Sequence, residues 1–485
     1  MIDRRAFLAL GSSAMLMPSL AGAAATASDL AGDIAILREA LTLHPGLYRY
    51  NSPLQMSARI DRLAVDFPNA PSDAARYLLL SRFLTTIRCG HSYANFFNQK
   101  KAVADALFDR QTRVPFTFQW IGNAMVVTGN QSSDAGLPVG SVVRAIDGVP
   151  VADMLRQMIP LTRADGSNDG KRRALLSVTG GDAIETFDAF HGLLYGTSQP
   201  GTMNIRYVAP GKSTAQVIDL PALTLAQRRS FMTPQPGRGS TTPVWEWTMR
   251  DDGIALLTMP GWGLYDSAWN WQQWLSDRLD SLKGAKGLII DLRENEGGLD
   301  CGDPILARLI DRDLPPMGYE QRLRFQRSPA AIDRYLDTWD DSFRTLGVGA
   351  KPLPGGFFAR PNGDDMLTIA PRGPRLNLPT VALIGPQNSS ATFQFALRAR
   401  ASGKVRLYGD TTGGNRRGIN GGCFFFVRLP ASGLEFDLPL IGYFAAGQQP
   451  DAGLDPDVRI AMTARDIAAR RDPAIKRAIA DLLYV

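Results

Sequence analysis

Short apolar runs that alternate with helix-like segments from residue 246 onward constrain the fold of this chain more than any other feature. The runs are DGIALLTMP, KGLIIDL, PTVALIG and KVRLYG, and apolar residues at three- and four-residue spacing recur between them, in SAWNWQQWLSDRLDSL, DPILARLI and ATFQFALRARAS. Strands that alternate with helices are typical of a parallel sheet covered by helices. We therefore predict an α/β core over residues 246–485.

Three further segments precede this core. Residues 28–110 show helical apolar spacing behind a Ser28-Asp29 cap, which predicts a helical N-terminal domain. Residues 111–225 are β-rich, and residues 226–245 contain a cluster of Pro, Gly, Ser and Thr that indicates a linker. At 485 residues, two or three domains are expected. The fold class predicted is multidomain α/β.

The β-rich segment resembles a PDZ module. The similarity lies in GSVVRAIDGVPVADMLRQMIP, where a strand runs into the turn Asp147-Gly148 and a helix follows. Asp-Gly turns also join strands in unrelated sheets. A PDZ-like domain implies an open edge that can capture an extended peptide by strand addition.

Composition excludes several classes of protein. Hydrophobic residues make up 45% of the chain and charged residues 21%, as in globular rather than disordered proteins. The net charge is +6, but Lys and Arg are scattered without a basic stripe, so no nucleic-acid partner is predicted. No segment after the N-terminus has the roughly 18 consecutive apolar residues of a membrane-spanning helix.

The N-terminus has the pattern of an export signal. A basic start, an apolar run and the small residues Ala21-Gly22-Ala23 predict a signal peptide over residues 1–27. Arg4 and Arg5, followed by Phe7-Leu8, resemble the twin-arginine signal, and a Sec signal is the alternative. Both predict a periplasmic or secreted protein.

The three cysteines, Cys89, Cys301 and Cys423, lie far apart and form no C-x-x-C motif. Zinc and redox sites are therefore not supported, and no metal or organic cofactor is predicted. An oxidising compartment would permit one disulfide and one free thiol, with the pair undetermined.

Two motifs in the core could carry chemistry. In GLIIDLRENEGG, a strand runs into the adjacent glycines Gly297 and Gly298, whose amides could form an oxyanion hole or simply make a steric turn. In IGPQNSSATFQF, Ser389 and Ser390 lie between a strand and a helix, where a serine is either a nucleophile or an N-cap. No G-x-S-x-G motif surrounds them, which disfavours an α/β-hydrolase.

The order of these motifs, continued by VRLYGDTTGG and GLDPDV, resembles that of the C-terminal-processing (tail-specific) and tricorn-type serine peptidases. The resemblance covers Gly253 to Ile460. It implies a ClpP/crotonase-like peptidase core in which Ser390 is the nucleophile and Ser389 the fallback. It also implies an oxyanion hole made by the amides of Ala391 and of Gly297 or Gly298.

The chain departs from the better-known branch of that family, which uses a lysine as general base. Asn415 occupies the lysine position, and neither it nor Arg416 can accept a proton at neutral pH. The tricorn-type branch uses a histidine before the PDZ-like domain, which implies His91 in TTIRCGHSYANF. The other histidines, His44 and His191, have no motif around them.

A carboxylate before the Gly-x-x-Pro-Asp motif orients the histidine in the tricorn-type branch, which implies Asp451, with Asp455 and Asp457 as alternatives. Asp291 and Arg293 are expected to hold the glycine turn by a buried ion pair. The predicted function is an exported serine peptidase that acts on a peptide or protein. The alternatives are an inactive peptide- or ligand-binding protein and an esterase or other acyl hydrolase.

Overall fold

The structure is a computed structural model that describes residues 25–132, 136–234, 236–316, 318–361 and 368–484. The predicted signal segment, apart from its last residues, lies outside them. The chain forms two compact units. The first contains the described residues up to Asp109 together with Gln321–Pro361 and Asn420–Gly442, and the second contains the described residues of 110–320, 362–419 and 443–485.

The first unit begins with four helices, α1 (Ala27–Leu41), α2 (Pro53–Asp66), α3 (Asp73–Thr85) and α4 (Lys101–Phe108). The predicted cap at Ser28 is wrong, because the N-cap of α1 is Thr26. Thr26 and Asp29 each accept a hydrogen bond from the other's backbone N–H, forming a capping box. This reciprocal pairing requires a side chain that can accept a hydrogen bond three residues after the N-cap. Asp29 provides it for Thr26, and no such side chain follows Ser28 at that spacing.

A six-stranded antiparallel sheet opens the second unit, with the order β1-β2-β3-β5-β6 and β4 paired to β3. Its strands are β1 (Phe116–Ile121), β2 (Ala124–Asn130), β3 (Val142–Ile146), β4 (Val149–Pro150), β5 (Thr202–Val208) and β6 (Gln216–Pro221). The helices along this stretch are α5 (Val151–Met158), α6 (Asp169–Leu175), α7 (Thr186–Leu194) and α8 (Leu225–Phe231). Helix α8 takes up the start of the predicted linker. The PDZ-like assignment of this region stays a prediction.

Glu185, the N-cap residue of α7, should make stability depend on pH. Its burial, together with the charges of Asp188 and Asp182, raises its pKa to about 7, although Arg228 opposes the shift. Between about pH 4.5 and 7 the folded state therefore holds a proton that the unfolded chain releases, so this group's contribution to stability falls as pH rises.

We expect Glu185→Gln to remove this contribution. From pH 5 to pH 8, wild type should lose up to about 3 kcal/mol of unfolding free energy relative to the variant. Urea unfolding of both proteins at the two pH values measures the difference. Parallel pH dependence in the two proteins would show that Glu185 titrates normally.

The second sheet has the strand order β11-β16-β17-β10-β13-β12 and lies mainly in the first unit. Its strands are β10 (Tyr319–Leu323), β11 (Leu336–Asp337), β12 (Pro352–Leu353), β13 (Phe357–Ala359), β16 (Asn420–Arg428) and β17 (Glu435–Ala445). Side-chain hydrogen bonds join β17 to the segment that follows α3. Asn95 Nδ2 donates to Asp437 Oδ2 at 2.8 Å, and Gln99 Nε2 donates to the Glu435 carbonyl at 2.7 Å.

The third sheet has the order β18-β15-β14-β9-β8-β7, with only the edge strand β7 antiparallel. Its strands are β7 (Glu246–Met249), β8 (Ile254–Thr258), β9 (Gly287–Asp291), β14 (Thr380–Ile384), β15 (Val405–Gly409) and β18 (Val458–Arg459). The helices in this region are α9 (Trp271–Asp280), α10 (Asp303–Leu309), α11 (Ser390–Ser402), α12 (Ala464–Ala468) and α13 (Pro473–Leu483). The multidomain α/β prediction is confirmed, and each predicted run of this core forms the expected strand or helix.

The core beneath this sheet is built from its apolar strands and α13. Ile289, Val381 and Leu383 are at most 2% exposed and pack with Ala478 and Leu482 of that helix. All three cysteines are buried, and none of them forms a disulfide with another. Among the described residues, no helix is long and apolar enough to cross a membrane.

Candidate active site

Two loops leave neighbouring strands at the same edge of the parallel sheet. Strands β9 and β14 pair in parallel, with Asp291 opposite Leu383, and the Leu292 N–H extends the pairing to the Leu383 carbonyl at 3.0 Å. The first loop contains Gly297 and Gly298, and the second leads to α11. Loops at the carboxyl ends of parallel strands are the usual place for a site in an open α/β sheet.

The two adjacent serines have different roles. Ser389 is the N-cap residue of α11, but its side chain does not cap the helix and donates instead to the Glu296 carbonyl at 3.1 Å. Ser390 is half-buried and has a backbone φ of +51°, a conformation that is uncommon for residues with a Cβ. Such a backbone is found most often where function requires it.

The glycine turn lies directly against Ser390. Gly297 has φ +111°, and a Cβ built on it would lie 2.8 Å from Ser390 Cβ and 3.0 Å from the Ala391 nitrogen. Gly298 has φ +135°, and a Cβ there would lie 2.2 Å from the Trp262 carbonyl carbon. Both positions therefore require glycine. The glycine turn and the helix start that the resemblance pairs therefore lie next to each other.

The hydrogen bonds around the turn show which amides are available. The Gly297 N–H already donates to Asn295 Oδ1 at 2.8 Å. Within the part of the chain that the structure describes, the Gly298 and Ala391 N–H groups donate to no acceptor. An incoming oxyanion could therefore be bound by these two amides, one from each loop.

Buried asparagines that sequence reasoning missed hold the two loops together. Asn295, 0% exposed, accepts from Thr392 Oγ1 at 2.6 Å as well as from Gly297, and donates to the Met259 carbonyl at 2.9 Å. Asn388, also 0% exposed, donates to the Leu292 and Asn295 carbonyls. Nothing in their local motifs distinguishes these asparagines from ordinary turn residues.

A lysine that the sequence motifs do not reveal also lies at these loops. Lys171 on α6 is 1% exposed, and its Nζ donates to Glu296 Oε1 at 2.8 Å and to the Gln387 carbonyl at 2.9 Å. Burial lowers its pKa to about 8, although Glu296 opposes the shift. Burial alone would raise the pKa of Glu296, but Lys171 and Arg163 outweigh it and lower that pKa to about 2.

Asp451 and Asn415 lie together. Asp451 accepts from Asn415 Nδ2 at 2.7 Å, from the Ser167 N–H at 3.0 Å and from Ser167 Oγ at 2.8 Å. Burial opposes ionisation, but these hydrogen bonds outweigh it and lower the pKa of Asp451. Asp451 is therefore ionised at neutral pH.

The alternative carboxylates have structural partners. Asp455 pairs with Arg459 at 2.6 Å, and Asp457 accepts from the Leu407 N–H at 2.7 Å. The predicted ion pair of Asp291 and Arg293 is confirmed at 2.6 Å. The same guanidinium also binds Asp472, the N-cap residue of α13, at 2.7 Å.

His91 lies in the first unit and is 6% exposed, with its ring centroid 5.9 Å from that of Phe424. His44 is held at both ring nitrogens, by the Gly46 N–H at 3.0 Å and by Ser92 Oγ at 2.8 Å. Burial and two nearby arginines lower the pKa of His44 to about 3. His191 is 0% exposed and stacks on Phe187. Both serve as packing residues.

Residues 253–460 match the profile of Peptidase family S41. The chain is a serine-type peptidase, and its matched segment is similar to the members of this family. A search of curated protein sequences finds no match. The S41 segment includes both loops of the candidate active site.

Two solved structures of CPAF share the fold of this chain. Mature CPAF complexed with lactacystin is 16% identical with a TM-score of 0.60, and the match covers 94% of this chain and 99% of that one. Mature CPAF alone is 16% identical with a TM-score of 0.59, and the match covers 94% of this chain and 98% of that one. The photosystem II D1 C-terminal processing protease is 15% identical with a TM-score of 0.42, and the match covers 89% of this chain and 93% of that one.

Proposed function

We propose that this chain is an exported serine peptidase that cleaves peptide bonds with Ser390 as nucleophile, His91 as general base and Asp451 as the carboxylate that orients His91. It would belong to the branch of the family that lacks the catalytic lysine, because Asn415 occupies that position. The oxyanion hole would consist of the Gly298 and Ala391 amides.

The observation that carries this proposal is the contact between Ser390 and the glycine turn. Ser390 has a left-handed backbone at the start of α11, and Gly297, the neighbour of Gly298, lies against it. An N-cap role would explain a serine here without catalysis, but the N-cap residue is Ser389 and not Ser390. The arrangement fits a nucleophile beside an oxyanion hole.

The reaction would proceed in two halves. Ser390 Oγ attacks the peptide carbonyl while His91 takes its proton, and the negative charge on the carbonyl oxygen is bound by the Gly298 and Ala391 amides. His91 then protonates the leaving amine as the C–N bond breaks, which leaves an acyl group on Ser390. Water, deprotonated by His91, hydrolyses that ester and regenerates the hydroxyl.

The assignment of Asp451 is supported by its charge, because the hydrogen bonds from Ser167 and Asn415 favour the ionised carboxylate. Asn415 thus serves as a donor to this carboxylate, which gives a physical role to the residue that replaces the lysine. Export rests on the N-terminal pattern alone, and fractionation of cells that produce the full chain tests it.

We expect a fluorophosphonate probe to label the purified protein on Ser390, located by mass spectrometry. Ser390→Ala should lose the label completely, and His91→Ala should slow labelling about 100-fold or more, because the serine loses its base. Ser389→Ala is the matched control. It removes the neighbouring hydroxyl, which donates to the Glu296 carbonyl, and leaves Ser390 and the Gly298 and Ala391 amides unchanged, so labelling should persist.

If the label were found on Ser389 instead, the nucleophile would be Ser389 and not Ser390. Folded wild type that takes no label would contradict the mechanism and favour the ligand-binding alternative. Cleavage of ester but not peptide substrates by a labelled protein would favour the acyl hydrolase.

A further inference from the structure

Lys171 is a buried charge for which the proposed reaction has no use. Its side chain is 2% exposed and lies on α6, outside the S41 segment. The start of α6 is anchored by Asn168, whose side chain accepts from the Lys171 N–H at 3.1 Å and donates to the Thr412 carbonyl at 2.8 Å. The lysine stem passes Gly413, where a Cβ would lie 2.8 Å from Lys171 Cδ.

The contacts of Nζ are those of a donor and not of a base. An ammonium group has three protons, and three acceptors surround this one, namely Glu296 Oε1 at 2.8 Å, the Gln387 carbonyl at 2.9 Å and Gln387 Oε1 at 3.0 Å. Each bond to a charged group is stronger than its neutral counterpart. Lys171 therefore does not substitute for the missing family lysine as a proton acceptor.

These acceptors belong to the two loops of the active site. Glu296 immediately precedes Gly297 in the glycine turn, and its carbonyl also accepts from Ser389 Oγ. Gln387 lies two residues before Ser389. A single cation thus joins the loop that supplies the Gly298 amide to the loop that supplies Ser390 and the Ala391 amide.

We propose that protonated Lys171 is a positioning residue that sets the spacing between the oxyanion turn and the nucleophile loop. The proposal rests on the proposed function for its effect on catalysis. Its claim about the two loops is independent of that chemistry.

The charges around Lys171 predict how kcat should depend on pH. Glu296 and Asp165 favour the protonated amine, Arg163 and burial disfavour it, and the resulting pKa is about 8. Above that pH one donor is lost and the loops should loosen. Wild-type kcat should therefore fall as pH rises above about 8.

The test compares wild type with Lys171→Met, which keeps the length and apolar volume of the stem but removes the charge. We expect kcat and the labelling rate of Ser390 to fall by about 10- to 100-fold with little change in KM, because a small displacement of reacting groups costs about that much. The decline above pH 8 should disappear. Lys286→Met, which removes an exposed lysine, is the control and should behave as wild type.

The double variant Lys171→Met/Glu296→Gln distinguishes a role of Lys171 in positioning the two loops from a role in neutralising the charge of Glu296. If Lys171 only neutralises Glu296, the double variant should recover wild-type rates. If it positions both loops, the double variant should remain slow, because the bond to the Gln387 carbonyl is still missing.

Amide hydrogen exchange over residues 292–299 and 385–392 tests the loops without requiring catalysis. Both segments should exchange faster in Lys171→Met than in wild type. Unchanged exchange, or an unchanged labelling rate per folded molecule, would overturn the proposal. Wild type that takes no label would refute the proposed function, while the exchange result would still decide whether Lys171 holds the loops.

Discussion

Gly297→Ala should reduce kcat by at least about 100-fold, which is the effect of losing one oxyanion-hole donor in a serine peptidase. The new Cβ would lie 2.8 Å from Ser390 Cβ, closer than real Cβ atoms approach other atoms, and 3.0 Å from the Ala391 nitrogen, which is a tight contact. The backbone φ of +111° is also strained for alanine. The turn must therefore move away from the serine, and the Gly298 amide, which is the proposed oxyanion donor, moves with it. Steady-state kinetics and the labelling rate of Ser390 measure the loss.

Gly261→Ala is the matched control, because Gly261 lies in the same region, has no positive φ and would place its Cβ in open space. This variant should keep wild-type kinetics. Near-normal turnover in Gly297→Ala would show that the turn takes no part in binding the oxyanion. It would place the amide donors elsewhere.

Asn295→Ala should lower the free energy of unfolding by about 3 kcal/mol or more and should also slow labelling of Ser390. The substitution leaves the Met259 carbonyl, the Gly297 N–H and the Thr392 hydroxyl without their buried partner. Each unsatisfied buried group costs about 1–3 kcal/mol. Urea unfolding gives the loss in stability, and labelling under native conditions gives the loss in reactivity.

Thr392→Val separates the network into its parts, because it removes only the hydroxyl that donates to Asn295 Oδ1. We expect it to cost about 1 kcal/mol and to leave the Gly297 amide in place. If Asn295→Ala were no more damaging than Thr392→Val, the asparagine would not be what fixes the turn.

Much of the site could be predicted because it follows from local patterns. Short apolar runs in front of Gly297 and Ser390 predict buried parallel strands, and parallel strands bring their following loops to one edge. The resemblance then paired the two loops. It also placed Asn415, whose amide cannot act as a base, where the better-known branch has its lysine.

The parts that could not be predicted depend on contacts between distant segments. Lys171 has no local pattern that distinguishes it from a surface lysine on a short helix. Its burial arises only because α6 docks through Asn168 on the loop around Thr412. Asn295 and Asn388 are ordinary turn residues in sequence, and only the folded chain shows which backbone groups they satisfy.

The first unit is assembled from three pieces of chain that are far apart in sequence, and this affects the order of events during synthesis. The bonds from Asn95 and Gln99 reach Asp437 and Glu435, so the helices made first find these partners only near the end of translation. Long-range closure of this kind slows folding. The residues that surround His91 are therefore completed late, and a nascent chain released early would carry Ser390 without a finished environment for its proposed base.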